Sequence, residues 1–390
     1  MSATPSPSAP AGAQRHKLRS FWQRVTEGFE LHQLWGQFLS EAKESYGLYS
    51  KEVDWEAIKL ERKRWKRFCK AAWALFQAML MKLSPARRVL LLIAMFLILA
   101  NPEIESRGHV QTSIKLGSIG ALILFCLLAL ELADRVTMKR DLEIAREIQQ
   151  WLVPSSPPLV PGFDIAFATR PQNTVAGDYY DAFLRPIAPA GTATTPLMLV
   201  IADVAGKSVP AALLMATFQA GLRALSATPE SLDEIAIGID RYAQAHSLEG
   251  RRFTTAFLAE VSPETREMRY INAGHNSPIL RRATGEIERL STGGPPFGVP
   301  LFTEQERSYA AGTVRLAAGD LLLIFTDGVI EAINQKGQEF GEARLLHVVQ
   351  TAPAEAAADT LKRVMITVNN YVGYARQHDD ITCLVLRVIS

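Results

Sequence analysis

An α+β fold, with antiparallel sheets covered by helices, is what the C-terminal two thirds of this 390-residue chain predicts. Two observations carry that expectation. Beyond Gly162 the pattern becomes short apolar runs broken by turn residues, so strands are expected over 163–170, 197–202, 256–261, 268–272, 279–282, 321–325 and the terminal CLVL run, with SPETRE and ATGE as hairpin turns. Helical periodicity is confined to fewer, longer segments: 209–224, 231–246, 341–350 and 353–371. Sequential hairpins with inserted helices favour two helix-covered antiparallel sheets over a doubly wound parallel one.

The N-terminal third differs in composition. Residues 1–14, rich in Pro, Ser and Ala, are expected to be a disordered tail, and no apolar core follows to make them a signal peptide. Residues 15–85 form a basic amphipathic region, densest in LERKRWKRFCKAAWALF. From Arg15 to Arg88 there are 16 Lys/Arg against 8 Asp/Glu, inside a chain whose net charge is only +2. Such a segment is either the solvated face of a helical bundle or a surface for anionic lipid.

Residues 86–134 hold two hydrophobic runs, 89–100 and 116–133, separated by a loop with Asn101, Pro102 and Gly108. The second approaches bilayer length; the first is short unless 83–88 and 102–104 extend it. The alternative is a buried core hairpin. Arg87 and Arg88 before the first run, and Arg135, Lys139 and Arg140 after the second, place both ends on the cytoplasmic side, with Glu131 at the interface. Residues 135–158 read as a linker helix whose stripe of Met138, Leu142, Ala145, Ile148 and Leu152 needs a partner. A second copy in a parallel coiled coil, and hence a homodimer, is the expectation. Residues 159–390 are the folded domain. Cys69, Cys126 and Cys383 are too few and too scattered for a disulfide framework or a zinc cluster. No nucleic-acid partner is expected, and no P-loop or dinucleotide fingerprint is present.

Four aspartate-bearing segments stand where apolar runs stop: VAGDYYD (Asp178, Asp181), LVIADVAGK (Asp203), LLLIFTDGVIEA (Asp327) and QHDDITCLVL (Asp379, Asp380). Carboxylates at the mouths of buried strands are costly without a counter-charge, and few Lys or Arg lie beside them in sequence. A hard divalent cation, Mg²⁺ or Mn²⁺, suits such oxygen donors better than Zn²⁺ does.

Taken in order, AGDYYD, ADVAGK opening a helix through Ser208 and Pro210, NAGHNSP, GGPPFGV, GD-LLLIFTDG-VIEA and HDDIT-CLVL resemble the SpoIIE/RsbU-like branch of the type-2C (PPM) metal-dependent serine/threonine protein phosphatases. The resemblance covers about residues 142–388, including the helix DLEIAREIQQWLVP. It implies an α/β/β/α sandwich, preceded here by the linker helix and a transmembrane helical hairpin. It also implies two Mn²⁺ or Mg²⁺ ions, with no organic cofactor. Asp203 matches the aspartate bridging both metals, with the Val204 carbonyl a further ligand; Asp327 and Asp379 match ligands of the second metal. Asp178 takes a direct ligand position or holds a metal-bound water, and Asp380 is the alternative to Asp379, which the pattern favours.

For the remaining residues the readings are blander. His275 is expected to be a hydrogen-bonded structural histidine rather than a general acid, and Lys207 a solvated lysine at a helix start rather than a phosphate ligand. Gly177 and Gly206 let backbone approach the metals, or are simply turn glycines. Thr254 and Thr255 read as core or cross-strand residues. The two hydrophobic runs and their basic flanks, which lie outside the resemblance, add an expected place in the bacterial cytoplasmic (inner) membrane, multi-pass, with N-terminus and catalytic domain in the cytoplasm and membrane lipid as a partner. The resemblance implies as protein partner a phosphorylated anti-anti-sigma (STAS) regulator in a partner-switching pathway. The competing functions are a catalytically weak membrane scaffold that binds a phosphoprotein, and a small-molecule phosphohydrolase.

Overall fold

A computed structural model describes residues 58, 63–100, 103–106, 112–188, 195–246, 252–300 and 308–389. The expected tail and most of the basic region, residues 15–57 and 59–62, lie outside the described residues. The chain divides into two compact units between Asp134 and Arg135.

In the first unit, α1 (Arg64–Lys82) and α2 (Pro85–Ala100) are followed by a two-stranded hairpin, β1 (Glu103–Ser106) and β2 (Thr112–Lys115), and then by the start of α3 (Leu116–Leu152). Ala94 of α2 and Gly120 of α3 are both buried. A Cβ on Gly120 would come within 2.8 Å of the Ala94 carbonyl, so the two helices cross where only small residues fit. Arg87 pairs with Glu131 at 3.2 Å and with Asp134 at 2.7 Å; Glu131 is thus neutralised by a partner rather than left at an interface alone. The extension of the first run through residue 104 is not helical, because Glu103–Ser106 is strand; 16 residues give α2 a length of about 24 Å, short of a hydrocarbon core. By contrast α3, 37 residues long with an 18-residue window of mean hydropathy 2.3, is long and apolar enough to cross.

The second unit is a four-layer sandwich. One sheet has the order β10-β7-β6-β5-β4, with β11 also on β7; the other has the order β3-β13-β12-β8-β9. Their strands are β3 (Phe163–Arg170), β4 (Tyr179–Leu184), β5 (Leu197–Val204), β6 (Thr254–Val261), β7 (Glu267–Ala273), β8 (Ile279–Arg281), β9 (Ile287–Arg289), β10 (Gly293–Gly294), β11 (Gly312–Arg315), β12 (Leu321–Phe325) and β13 (Ile381–Val388). All pairings are antiparallel except β10 on β7.

Period-two alternation assigns each strand face to a layer. Leu197, Leu199 and Ile201 of β5 meet Leu322, Ile324, Leu384 and Leu386 between the sheets. The intervening Met198, Val200 and Ala202 face α4 (Ser208–Ser226) and α5 (Leu232–Ala245). Leu321, Leu323, Phe325, Cys383 and Val385 face α7 (Glu342–Thr351) and α8 (Ala357–Val372) across the other sheet. α4 has the length and composition of a membrane span, yet Met215, Phe218 and Leu222 bury it in this core.

Two departures from expectation have local causes. Strand β4, rich in Tyr and Phe and lying within an acidic motif, is not among the expected strands, yet it pairs with β5 from Tyr179↔Ala202 to Leu184↔Leu197. α8 begins at Ala357 rather than Pro353. The Pro353 and Glu355 carbonyls accept from Arg387, and Asp164 of β3 caps the helix by accepting from Ala357 N at 2.7 Å.

Candidate functional site

The alternation that builds the central layer also delivers its polar end. Continuing the odd series of β5 puts Asp203 at the mouth of the inter-sheet space, opposite Thr255 of β6. The even series of β12 and β13 likewise puts Thr326, Thr382 and Asp380 there. These threonines satisfy one another and hold one carboxylate. The Thr326 hydroxyl donates to Asp178 Oδ2 at 2.9 Å, Thr382 N donates to Thr326 Oγ1 at 3.1 Å, and the Thr169 and Thr382 hydroxyls lie 2.9 Å apart.

Above this network is a cleft of about 290 Å³, lined by Asp203, Asp327 and Asp379, the 204–207 turn, Thr255 and the 274–276 turn. Asp327 opens the one-turn helix α6 (Asp327–Ile330). The next residue must be glycine: a Cβ on Gly328 would fall 1.9 Å from the Asp380 carbonyl oxygen. The charges are strongly frustrated. Burial, then Asp327, Asp379 and Asp380, push the Asp203 carboxyl up to about 7. Burial, then Asp203 and Asp380, hold Asp178 well above the usual carboxylate range, and burial with Asp379 raises Asp327. Carboxylates that raise one another in this way lack positive charge.

The donor set is therefore that of a hard cation: clustered carboxylates, a backbone carbonyl at Val204, and no thiolate, since Cys383 is buried with its thiol pushed up. No three His, Cys, Asp or Glu side chains among the described residues already converge on one point at ligating distance. Lys207 instead reaches Asp379, with Nζ 2.9 Å from Oδ2, and donates to the His378 carbonyl. It is thus half-exposed and aimed at the site, not simply solvated.

The paired aspartates separate cleanly. Asp379 lines the cleft. Asp380 does not line it: its two oxygens accept from Gln172 N and Gly177 N, each at 2.6 Å, and so clamp the loop that carries Asp178. Gly177 thereby serves as a donor to Asp380, and a Cβ there would stand 3.3 Å from the Val204 carbonyl oxygen, while Gly206 adopts φ +119° in the turn before α4.

Asp181 corrects the expectation that all four segments lack basic partners. It faces α4, where Arg223 donates from Nε to Oδ2 at 2.9 Å and from Nη2 to Oδ1 at 3.0 Å, with Tyr179 OH and Ala182 N as further donors. The arginine lies 42 residues away in sequence, beyond any local reading.

His275 is buried in the cleft wall. Its N–H donates to Asn272 Oδ1 at 2.7 Å, its Nδ1 is 3.0 Å from the Thr255 hydroxyl, and Nε2 has no partner. Burial lowers its pKa to about 4, partly opposed by the Phe325 backbone, so the ring is neutral at pH 7 and poorly suited to donate a proton.

Two antiparallel sheets between helix pairs, with carboxylates gathered at one end of the inter-sheet space, define a PPM-type sandwich. Residues 194–389, half of the chain, match the family model of Stage II sporulation protein E (SpoIIE), and the chain belongs to the SpoIIE family of PP2C-type phosphatase domains. It is 27% identical to Protein IcfG of Synechocystis sp. (strain ATCC 27184 / PCC 6803 / Kazusa) over 286 residues, 67% of this chain but only 43% of that one. It is 25% identical to the phosphoserine phosphatase RsbU of Bacillus subtilis (strain 168) over 251 residues, 64% of this chain and 70% of that one. The SiaA-PP2C domain of Pseudomonas aeruginosa superposes with a TM-score of 0.55 at 22% identity, covering 65% of this chain and 98% of that domain, which establishes the shared fold.

Proposed function

We propose that the chain is a membrane-anchored, Mg²⁺- or Mn²⁺-dependent protein serine/threonine phosphatase. The observation that carries this reading is the convergence of Asp203, Asp327 and Asp379 on one cleft, with Asp178 behind them and too little positive charge among them. Asp203 and the Val204 carbonyl, Asp327 and Asp379 are the assigned ligands. Asp178 supports them from the threonine network, and Asp380 is assigned to the Asp178 loop rather than to metal. Two divalent cations held there supply a lowered pKa for bound water and neutralisation of the phosphoryl oxygens. The chain's own part is to hold these carboxylates rigidly at strand ends, and to keep His275 neutral in the wall.

The substrate follows by analogy with the family: a phosphorylated STAS-type regulator in a bacterial partner-switching pathway. α3 supports anchoring in the cytoplasmic membrane, with contact to lipid and the domain on the cytoplasmic side; the short α2 is its weaker companion. The stripe on residues 138–152 supports a homodimer through the linker helix.

Mn²⁺-dependent hydrolysis of an aryl phosphate, abolished in Asp203→Asn and Asp327→Ala, tests the reaction class. Turnover of phosphorylated STAS proteins from the same genome, without turnover of nucleotides, tests the substrate. Hydrolysis that survives chelation, or survives Asp203→Asn, sinks the reading; binding of phosphoprotein without turnover favours the scaffold instead.

A further inference from the structure

Lys207 is set by a turn that the backbone does not adopt freely. Gly206 before it has φ +119°, and Ser208 after it, a non-glycine residue, has φ +63°. Left-handed conformations at non-glycine positions persist only where the surroundings over-determine them, and they gather at functional sites. The turn is pinned from outside by Arg252, whose Nη1 donates to the Ala205 carbonyl at 3.3 Å and lies 2.3 Å from where a Gly206 Cβ would stand. The result is an ammonium carried across the cleft from the start of α4 to the loop before β13.

That ammonium is the one cationic side chain lining the cleft among the described residues, and its charge is felt at Asp203 and Asp327 as well as at Asp379. Its pair with Asp379 is half-exposed, at 52% and 34%, whereas the structural pair Arg185–Glu260 is sealed at 0% and 6%. An exposed pair of this type is weak and exchangeable.

We propose that Lys207 trades partners: its ammonium neutralises Asp379 until that carboxylate is taken as a metal ligand, and it then turns to the phosphate dianion of the substrate in the same cleft. This rests on the metal-dependent reading above. The expectation is two-sided. Removing the charge frees Asp379 and tightens metal binding, while the loaded site holds phosphate less well.

The test uses the full chain and no turnover. Mn²⁺ binding, followed by calorimetry and by the spin-resonance signal of free Mn²⁺, is expected to tighten about three- to tenfold in Lys207→Met and to stay within about twofold in Lys207→Arg. In an Asp379→Asn background most of that tightening is expected to vanish, leaving less than about twofold from the charge felt at Asp203 and Asp327. Inorganic phosphate binding to the Mn²⁺-saturated protein is expected to weaken several-fold in Lys207→Met and to be kept by Lys207→Arg. Wild-type Mn²⁺ binding that Lys207→Met leaves unchanged or weakens overturns the exchange alone, as does a tightening that persists undiminished without Asp379. Unchanged phosphate affinity overturns its second half. No Mn²⁺ binding by the wild-type chain overturns the metal reading and the exchange together.

Discussion

Asp178 and Asp181 sit three residues apart, both buried, and meet opposite surroundings. Asp181 faces the helix layer and is saturated by Arg223, Tyr179 and the Ala182 N–H. Asp178 faces the sheet interface, where a threonine hydroxyl donates to it and its charged neighbours are other carboxylates. A single step in strand parity separates a structural ion pair from a cluster of carboxylates. Burial alone therefore does not mark a site; burial without counter-charge does. Arg185 repeats the structural pattern at the far end of α4, sealed against Glu260 and donating to the carbonyls of Ser226, Thr228 and Glu230.

The contrast can be broken by exchanging the expected phenotypes. Asp203→Asn gives the largest effect, about a 10³-fold loss of metal-dependent hydrolysis, or about 4 kcal/mol. Its metal-free melting temperature stays level or rises, because a repelling charge is gone. A variant that instead unfolded would place Asp203 in the same class as Asp181. Arg185→Met behaves oppositely: it leaves Glu260 buried and unpaired, costing about 3–5 kcal/mol in urea denaturation, with Mn²⁺ affinity unchanged in the folded fraction.

The pH response of metal-free protein sharpens the same division. The Asp203 carboxyl is raised from 3.8 to about 7, and Asp178 and Asp327 are shifted the same way, so the folded state binds more protons than the unfolded one across that interval. Stability therefore falls as pH rises from about 4 to about 7 and levels off above, by on the order of 4 kcal/mol, and saturating Mn²⁺ flattens the curve. Thermal melts in chelator at pH 5 and pH 8 check it; equal stability would mean the cleft charges are compensated after all. The smallest expected change is Asp181→Asn, about 1–3 kcal/mol of stability from weakening the Arg223 pair, with metal affinity retained.

Motif order brought the ligand candidates into view, because Asp203 and Asp327 close continuous apolar runs and Asp379 stands just before one. It did not distinguish Asp181 from Asp178, since the arginine that neutralises one lies on a helix 42 residues later. Nor did it find the Lys207–Asp379 pair, which joins residues far apart through a turn whose left-handed Ser208 has no sequence signature. Strand β4 was missed although its Tyr179, Tyr180 and Phe183 carry the aromatic enrichment of strands. The start of α8 is not legible locally because its cap comes from Asp164, on a strand 193 residues earlier in the sequence.

The position of β13 between β3 and β12 has a consequence for biosynthesis. A ribosome releases Asp178, Asp203 and Asp327 well before the strand that joins the second sheet, and the clamp on the Asp178 loop arrives with Asp380, in the residue just ahead of that strand. Non-local pairings of this type form late. A half-made chain therefore carries most of the acidic residues but not their arrangement, and the carboxylate cleft is complete only once β13 has taken its place between β3 and β12.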